Sequence, residues 1–193
     1  MKNGNVRRTA ILTPLLVLLV AACNDALGPQ TWSDVPEEFV IFSATRPELL
    51  GRPAAFDFIS LSLLRVESLG TTGQWDAVLA EQAGEYVLVP ASAFPGAAET
   101  RAAIAPVTAG SLADVLEAPR DTAAFRSVAV PIEVGGIYVV RTRREFCVEF
   151  GTAGVRYAKM QILAIDDVAG TVHFAVTRNP FCNTRALVPP DNS

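Results

Sequence analysis

From Tyr157 to Arg178 polar and apolar residues alternate in two runs, on either side of Asp166-Asp167-Val168-Ala169-Gly170. A period of two is the pattern of a strand with one face in a core, so the two runs predict an antiparallel hairpin. With Ile165 opposite Thr171, Ala158, Met160, Ile162 and Ala164 share a face with Val172, Phe174 and Val176, and that face is expected in the core. The other face carries Tyr157, Lys159, Gln161, His173, Ala175 and Thr177, with Leu163 and Ile165 near the turn. The contrast sets the register, because a slip of one residue would bury the polar set.

The same reading extends along the chain. Residues 39–44 form a short apolar run expected as a buried strand, and residues 56–66 a second strand region whose phase slips near Ser60 to Leu64. Residues 75–81 and 86–89 predict a hairpin around Gln82-Ala83-Gly84. Residues 101–107 read as a strand that Pro106 places at an edge or an end. Residues 128–134 and 137–143 read as a hairpin about Gly135-Gly136, and residues 146–150 as a short strand. One helix is expected, with Ser111 as N-cap, Leu112, Val115 and Leu116 on one face, and Pro119 as its stop; residues 121–125 add a further turn. About nine strands and one short helix make a mainly β protein, an antiparallel β-sandwich or barrel in a single domain over residues 38–188, with a frayed end at 189–193.

Ahead of this domain the pattern changes. Lys2, Arg7 and Arg8 precede an apolar run from Ile11 to Val20, and Val20-Ala21-Ala22-Cys23 follows. A basic start, an apolar middle and small residues before a cut are the layout of a secretory signal, here residues 1–22. The run is about ten residues, whereas a helix crossing a bilayer needs ~20. Val20-Ala21-Ala22-Cys23 resembles the lipobox of bacterial lipoproteins. The resemblance implies cleavage before Cys23, acylation there, and a partner that is the membrane itself. Residue 24 is Asn and not Asp, which by the enterobacterial sorting rule implies the outer membrane. Residues 23–37, with Gly28-Pro29 and Pro36, are expected to be a lipidated flexible linker.

Export changes the reading of the other cysteines. Cys147 and Cys182 remain in a chain sent to an oxidising compartment, and a disulfide is expected between them. A zinc site lacks ligands, since His173 is the only histidine. The formal charge is −4 and loses three more basic residues with the signal. Nucleic-acid binding, which needs a basic surface, is therefore not expected.

Few residues suggest chemistry. One histidine and no Gly-x-Ser-x-Gly exclude a serine-hydrolase arrangement of that type. Asp57 and Asp76, beside Phe56, Phe58 and Trp75, are the one carboxylate pair that suits a carbohydrate-active enzyme, if they face each other across a cleft. The plainer expectation is that both point to solvent from alternating strands. Basic residues outnumber acidic ones between Tyr138 and Arg185. Arg141 and Arg143, read as pointing the same way, with Lys159 and His173 are the candidate ligand-binding set, facing an anionic small molecule or a glycolipid. The function expected from these features is that of a binding or structural module of the cell envelope and not an enzyme.

Tyr138-Val139-Val140-Arg141-Thr142, then Tyr157-Ala158-Lys159-Met160-Gln161-Ile162 and Gly170-Thr171-Val172, resemble the C-terminal part of the HmuY-type lipoproteins. Those are surface-attached, β-rich, haem-binding proteins, so the resemblance implies the same fold class and location. That family typically grips haem with two histidines, and this chain has only His173. No cofactor is therefore expected: Met160 is placed on the core face, opposite to His173.

Overall fold

Two five-stranded antiparallel sheets pack face to face, and the alternation along their strands decides what lies between them. The structure is a computed structural model that describes residues 32–67, 70 and 73–190. The signal at 1–22, Cys23, the linker as far as Thr31 and the last three residues lie outside the described residues.

The strands in chain order are β1 (Glu37–Phe42), β2 (Ala55–Asp57), β3 (Ser62–Leu64), β4 (Ala77–Gln82), β5 (Glu85–Pro90), β6 (Ala103–Val107), β7 (Val130–Pro131), β8 (Ile137–Arg141), β9 (Glu145–Cys147), β10 (Thr152–Gly154), β11 (Tyr157–Asp166) and β12 (Thr171–Arg178). One sheet runs β1-β12-β11-β8-β6 and the other β3-β2-β4-β5-β7, while β9 and β10 form a small hairpin of their own. This is a mainly β, sandwich-like architecture, as the pattern predicts.

Between the sheets Ile41, Phe56, Phe58, Leu79, Leu88, Ile104, Val140, Met160, Ile162, Phe174 and Val176 are buried. Phe56 is the centre of this layer. Its ring meets Phe39, Phe58 and Phe174 edge-on, with centroids 4.9, 4.8 and 5.1 Å away, the geometry aromatic quadrupoles favour.

The β11–β12 hairpin has the expected inner face as far as Ile162. There a bulge intervenes: Ile162 pairs with Phe174, but Ala164, and not Leu163, pairs with His173, and Ile165 with Val172. The extra residue reverses the alternation. Ala164, expected in the core, is exposed, and Ile165 packs against the core instead. The β4–β5 hairpin turns on Ala83 and Gly84, whose φ of 54° and 84° are those of a type I′ turn. The strand region expected over 56–66 breaks where its phase slips, giving β2 and β3, which reverse on each other.

Two expectations are corrected. The hairpin about Gly135-Gly136 does not form, because β7 pairs with β5 in one sheet while β8 pairs with β6 and β11 in the other. The glycine pair carries the chain between sheets. Tyr138 secures the crossing, its hydroxyl donating to Pro131 O and accepting from Glu133 N, each at 3.2 Å. The helix after Ser111 is a single 3-10 turn, Leu112–Asp114. Ser111 Oγ bonds the Asp114 carboxylate and leaves the turn uncapped. Beyond it the backbone is taken by the C-terminal segment: Ala118 N donates to Arg185 O, and Leu187 N to Leu116 O.

That segment explains a third correction. The face of β11 and β12 expected in solvent is a second core. Leu112, Val115, Ala118, Phe125 and Leu187 cover Ala103, Ala105, Val139 and Ala175 on the outer side of the first sheet. Lys159 lies beneath them, 1% exposed.

Candidate functional site

Three charged residues meet at one end of the sandwich. Asp57 closes β2 and Asp76 immediately precedes β4 in one sheet; Arg143 lies two residues beyond β8 in the other. Arg143 Nη1 stands 2.8 Å from Asp57 Oδ1 and 3.3 Å from Asp76 Oδ2. The backbone N–H of Arg143 also donates to Asp76 Oδ1 at 2.6 Å. The remaining lone pairs are used locally: Asp76 Oδ2 accepts from Phe58 N, Asp57 Oδ1 from Ile59 N, and Asp57 Oδ2 from Ser60 Oγ.

Burial sets their charge states. Asp76 is 0% exposed. Removal from water pushes its carboxyl up to about 6, against the opposing pull of Arg143. Burial also raises Asp57, but the hydrogen bonds from Arg143 and Ser60 outweigh it and hold that carboxyl below its ordinary value. The expectation that both aspartates face solvent is thus replaced by a buried tie. The two carboxylates, both buried, converge on one guanidinium, and the arrangement joins the two sheets.

The other residues of the candidate ligand set are dispersed. Arg141, expected to point with Arg143, turns instead to the outer layer, where Nε donates to Arg101 O at 3.0 Å and the guanidinium lies 5.2 Å from the Phe125 ring centroid. Lys159 donates from Nζ to Val115 O at 3.1 Å. Burial pushes its ammonium pKa down, with Asp34 opposing. His173 Nε2 is 2.9 Å from Glu38 Oε2 at the β1 side of the sheet. Met160 is in the inner core, on the other face of the sheet from His173. Among the described residues, no three His, Cys, Asp or Glu side chains gather where a metal could be held.

What sequence reasoning missed is a cleft of about 490 Å³ on the side where β6 and β8 meet the margin of β5 and β7. It is lined by Glu85, Tyr86, Pro106, Arg126, Pro131, Ile132, Glu133 and Tyr138. Two phenol rings and two prolines make its walls, and two carboxylates and a guanidinium supply its charge. Tyr86 is held in place by Arg46, whose Nη2 donates to its hydroxyl at 2.9 Å. No local motif marks this cleft, since its lining comes from several segments across both sheets.

Cys147 and Cys182 are joined, with Cα atoms 5.9 Å apart. The bond fastens the β9–β10 hairpin to the segment after β12. Gly154 makes room for it, because a β-carbon there would stand 2.5 Å from Cys147 Sγ and 2.7 Å from Asn183 Nδ2. No protein-family model and no curated protein matches the chain.

Proposed function

We propose that this is an exported, lipid-anchored protein of the cell envelope whose β-sandwich serves as a binding or structural module. The observation that carries the reading is Val20-Ala21-Ala22-Cys23 at the end of a short apolar run. Acyl chains on Cys23 hold such a protein on a membrane without a spanning helix. The Cys147–Cys182 disulfide supports an oxidising compartment, and the outer membrane is the proposed location, from Asn24. Asp57 and Asp76 are occupied by Arg143, which favours binding over catalysis. The cleft between Tyr86 and Tyr138, about 490 Å³ with two aromatic walls and the charged groups of Glu85, Arg126 and Glu133 at its margin, is the place proposed for a small ligand.

Two measurements test the reading. Mass spectrometry of the N-terminal peptide from native membranes is expected to find a diacylated or triacylated Cys23, and an unmodified terminus elsewhere would refute the anchor. Native mass spectrometry of protein released gently from its own envelope is expected to show a retained ligand, lost on Tyr138→Ala. Mass without ligand, or ligand unaffected by that change, leaves the cleft without a role.

A further inference from the structure

Phe146, Val148 and Phe150 are 66%, 83% and 59% exposed. All three belong to the hairpin of β9 and β10. The chain has ten phenylalanines, and the other eight are buried or half-buried. A soluble surface scatters its apolar residues singly; here two phenylalanines and a valine crowd one projecting tip. Phe146 pairs across the hairpin with Ala153, also exposed, so one whole face of the hairpin is bare.

The tip is held at a defined place. Cys147, between Phe146 and Val148, is bonded to Cys182. The residue before Cys182 is Phe181, whose ring meets Trp32 edge-on with centroids 5.7 Å apart. Trp32 is where the described chain begins, nine residues beyond Cys23. Whatever path those residues take, they span at most about 30 Å. A tether of that length keeps Trp32, and with it Phe181 and the disulfide, within about 30 Å of whatever holds Cys23.

We propose that the Glu145–Gly154 hairpin is a membrane-docking tip, seated in the interface of the same bilayer that carries the Cys23 acyl chains. The inference rests on the lipid-anchor reading and adds to it an orientation. Phe146, Val148 and Phe150 enter the boundary between headgroups and acyl chains, the depth at which apolar side chains of peripheral proteins lodge. Arg144, exposed at the base of the hairpin, meets lipid phosphates. Glu149, exposed between Val148 and Phe150, keeps its carboxylate among the headgroups and so limits insertion to the interface.

The test uses the full acylated chain in vesicles of phosphatidylethanolamine and phosphatidylglycerol, with or without brominated acyl chains. Val148→Trp places a fluorophore at the tip, read as the difference from the parent chain. Its emission is expected to shift to the blue and to lose most of its intensity in brominated vesicles. Adding Phe146→Ser and Phe150→Ser should return it to the red and abolish quenching, with the Cys147–Cys182 bond still formed by thiol count. An acylated chain whose added tryptophan is unquenched overturns the docking while leaving the anchor intact. A blue shift without quenching, found only at high protein density, assigns the tip to a second copy and also overturns it. A native N-terminus without acyl chains removes the anchor, and this orientation with it.

Discussion

Arg143 and Asp76 are joined twice, through the backbone N–H of Arg143 to Asp76 Oδ1 at 2.6 Å and through its guanidinium to Oδ2 at 3.3 Å. The first bond depends on backbone position and the second on charge, so the pair fixes the chain leaving β8 against the start of β4.

Removing the guanidinium leaves two buried carboxylates without a counter-charge. Arg143→Ala is expected to cost about 3–5 kcal/mol, read as a lower urea midpoint. Adding Asp57→Asn and Asp76→Asn should recover part of that loss, because neighbours in one network are not additive. A triple variant less stable than Arg143→Ala would refute the tie.

The tie has a pH signature. Asp76 is raised from 3.8 to about 6 by burial, so the folded protein keeps a proton that the unfolded chain releases. Its contribution is complete below the unfolded value and is lost as pH rises through about 6. The size is on the order of 3 kcal/mol. Asp57 is lowered and runs the other way: its contribution is present above the unfolded value and lost as pH falls through the folded one. Urea midpoints should therefore decline between about pH 4 and 6, and Asp76→Asn should flatten that decline. An unchanged slope in Asp76→Asn would assign it to other groups.

Gly154 and Gly151 offer a paired comparison. A methyl at Gly154 meets Cys147 Sγ and Asn183, whereas Gly151 has open space but a φ of 64°. Gly154→Ala is expected to lose about 1–3 kcal/mol by overpacking, and Gly151→Ala about 1–2 kcal/mol by backbone strain alone. Only the first should also slow closure of the disulfide during oxidative refolding.

Lys159 holds a buried ammonium on one carbonyl, Val115 O. Lys159→Met keeps the length and removes the desolvation cost. Thermal unfolding is expected to show unchanged or higher stability, by up to about 2 kcal/mol. Lys159→Ala should instead be destabilising by a similar amount, through the cavity it opens.

Haem is expected to bind no more than weakly. His173 is paired with Glu38 and Met160 is on the opposite face of the sheet. A titration followed by the Soret band checks this, and a six-coordinate spectrum at submicromolar haem, lost in His173→Ala, would overturn it.

Alternation along the chain was enough to find the β11–β12 hairpin, the inner faces of Met160, Ile162, Phe174 and Val176, and the class of fold, because a strand's period is local and side chains report it directly. Cysteine count and the compartment expected from the N-terminal pattern were enough to pair Cys147 with Cys182. What covered the outer side of the first sheet was not legible. Lys159 looks like a solvent-facing residue until the segment around Val115 is laid over it, a contact made across more than forty residues of chain. The bulge at Leu163 was hidden for a related reason, since a single added residue changes pairing without changing composition. Asp57, Asp76 and Arg143 look alike in sequence to any charged residues near strand ends. Only tertiary structure, by bringing two strands of one sheet beneath the end of a strand in the other, turned them into a buried tie, because a counter-charge must arrive to offset the cost of removing a carboxylate from water, as it does fully for Asp57 and in part for Asp76.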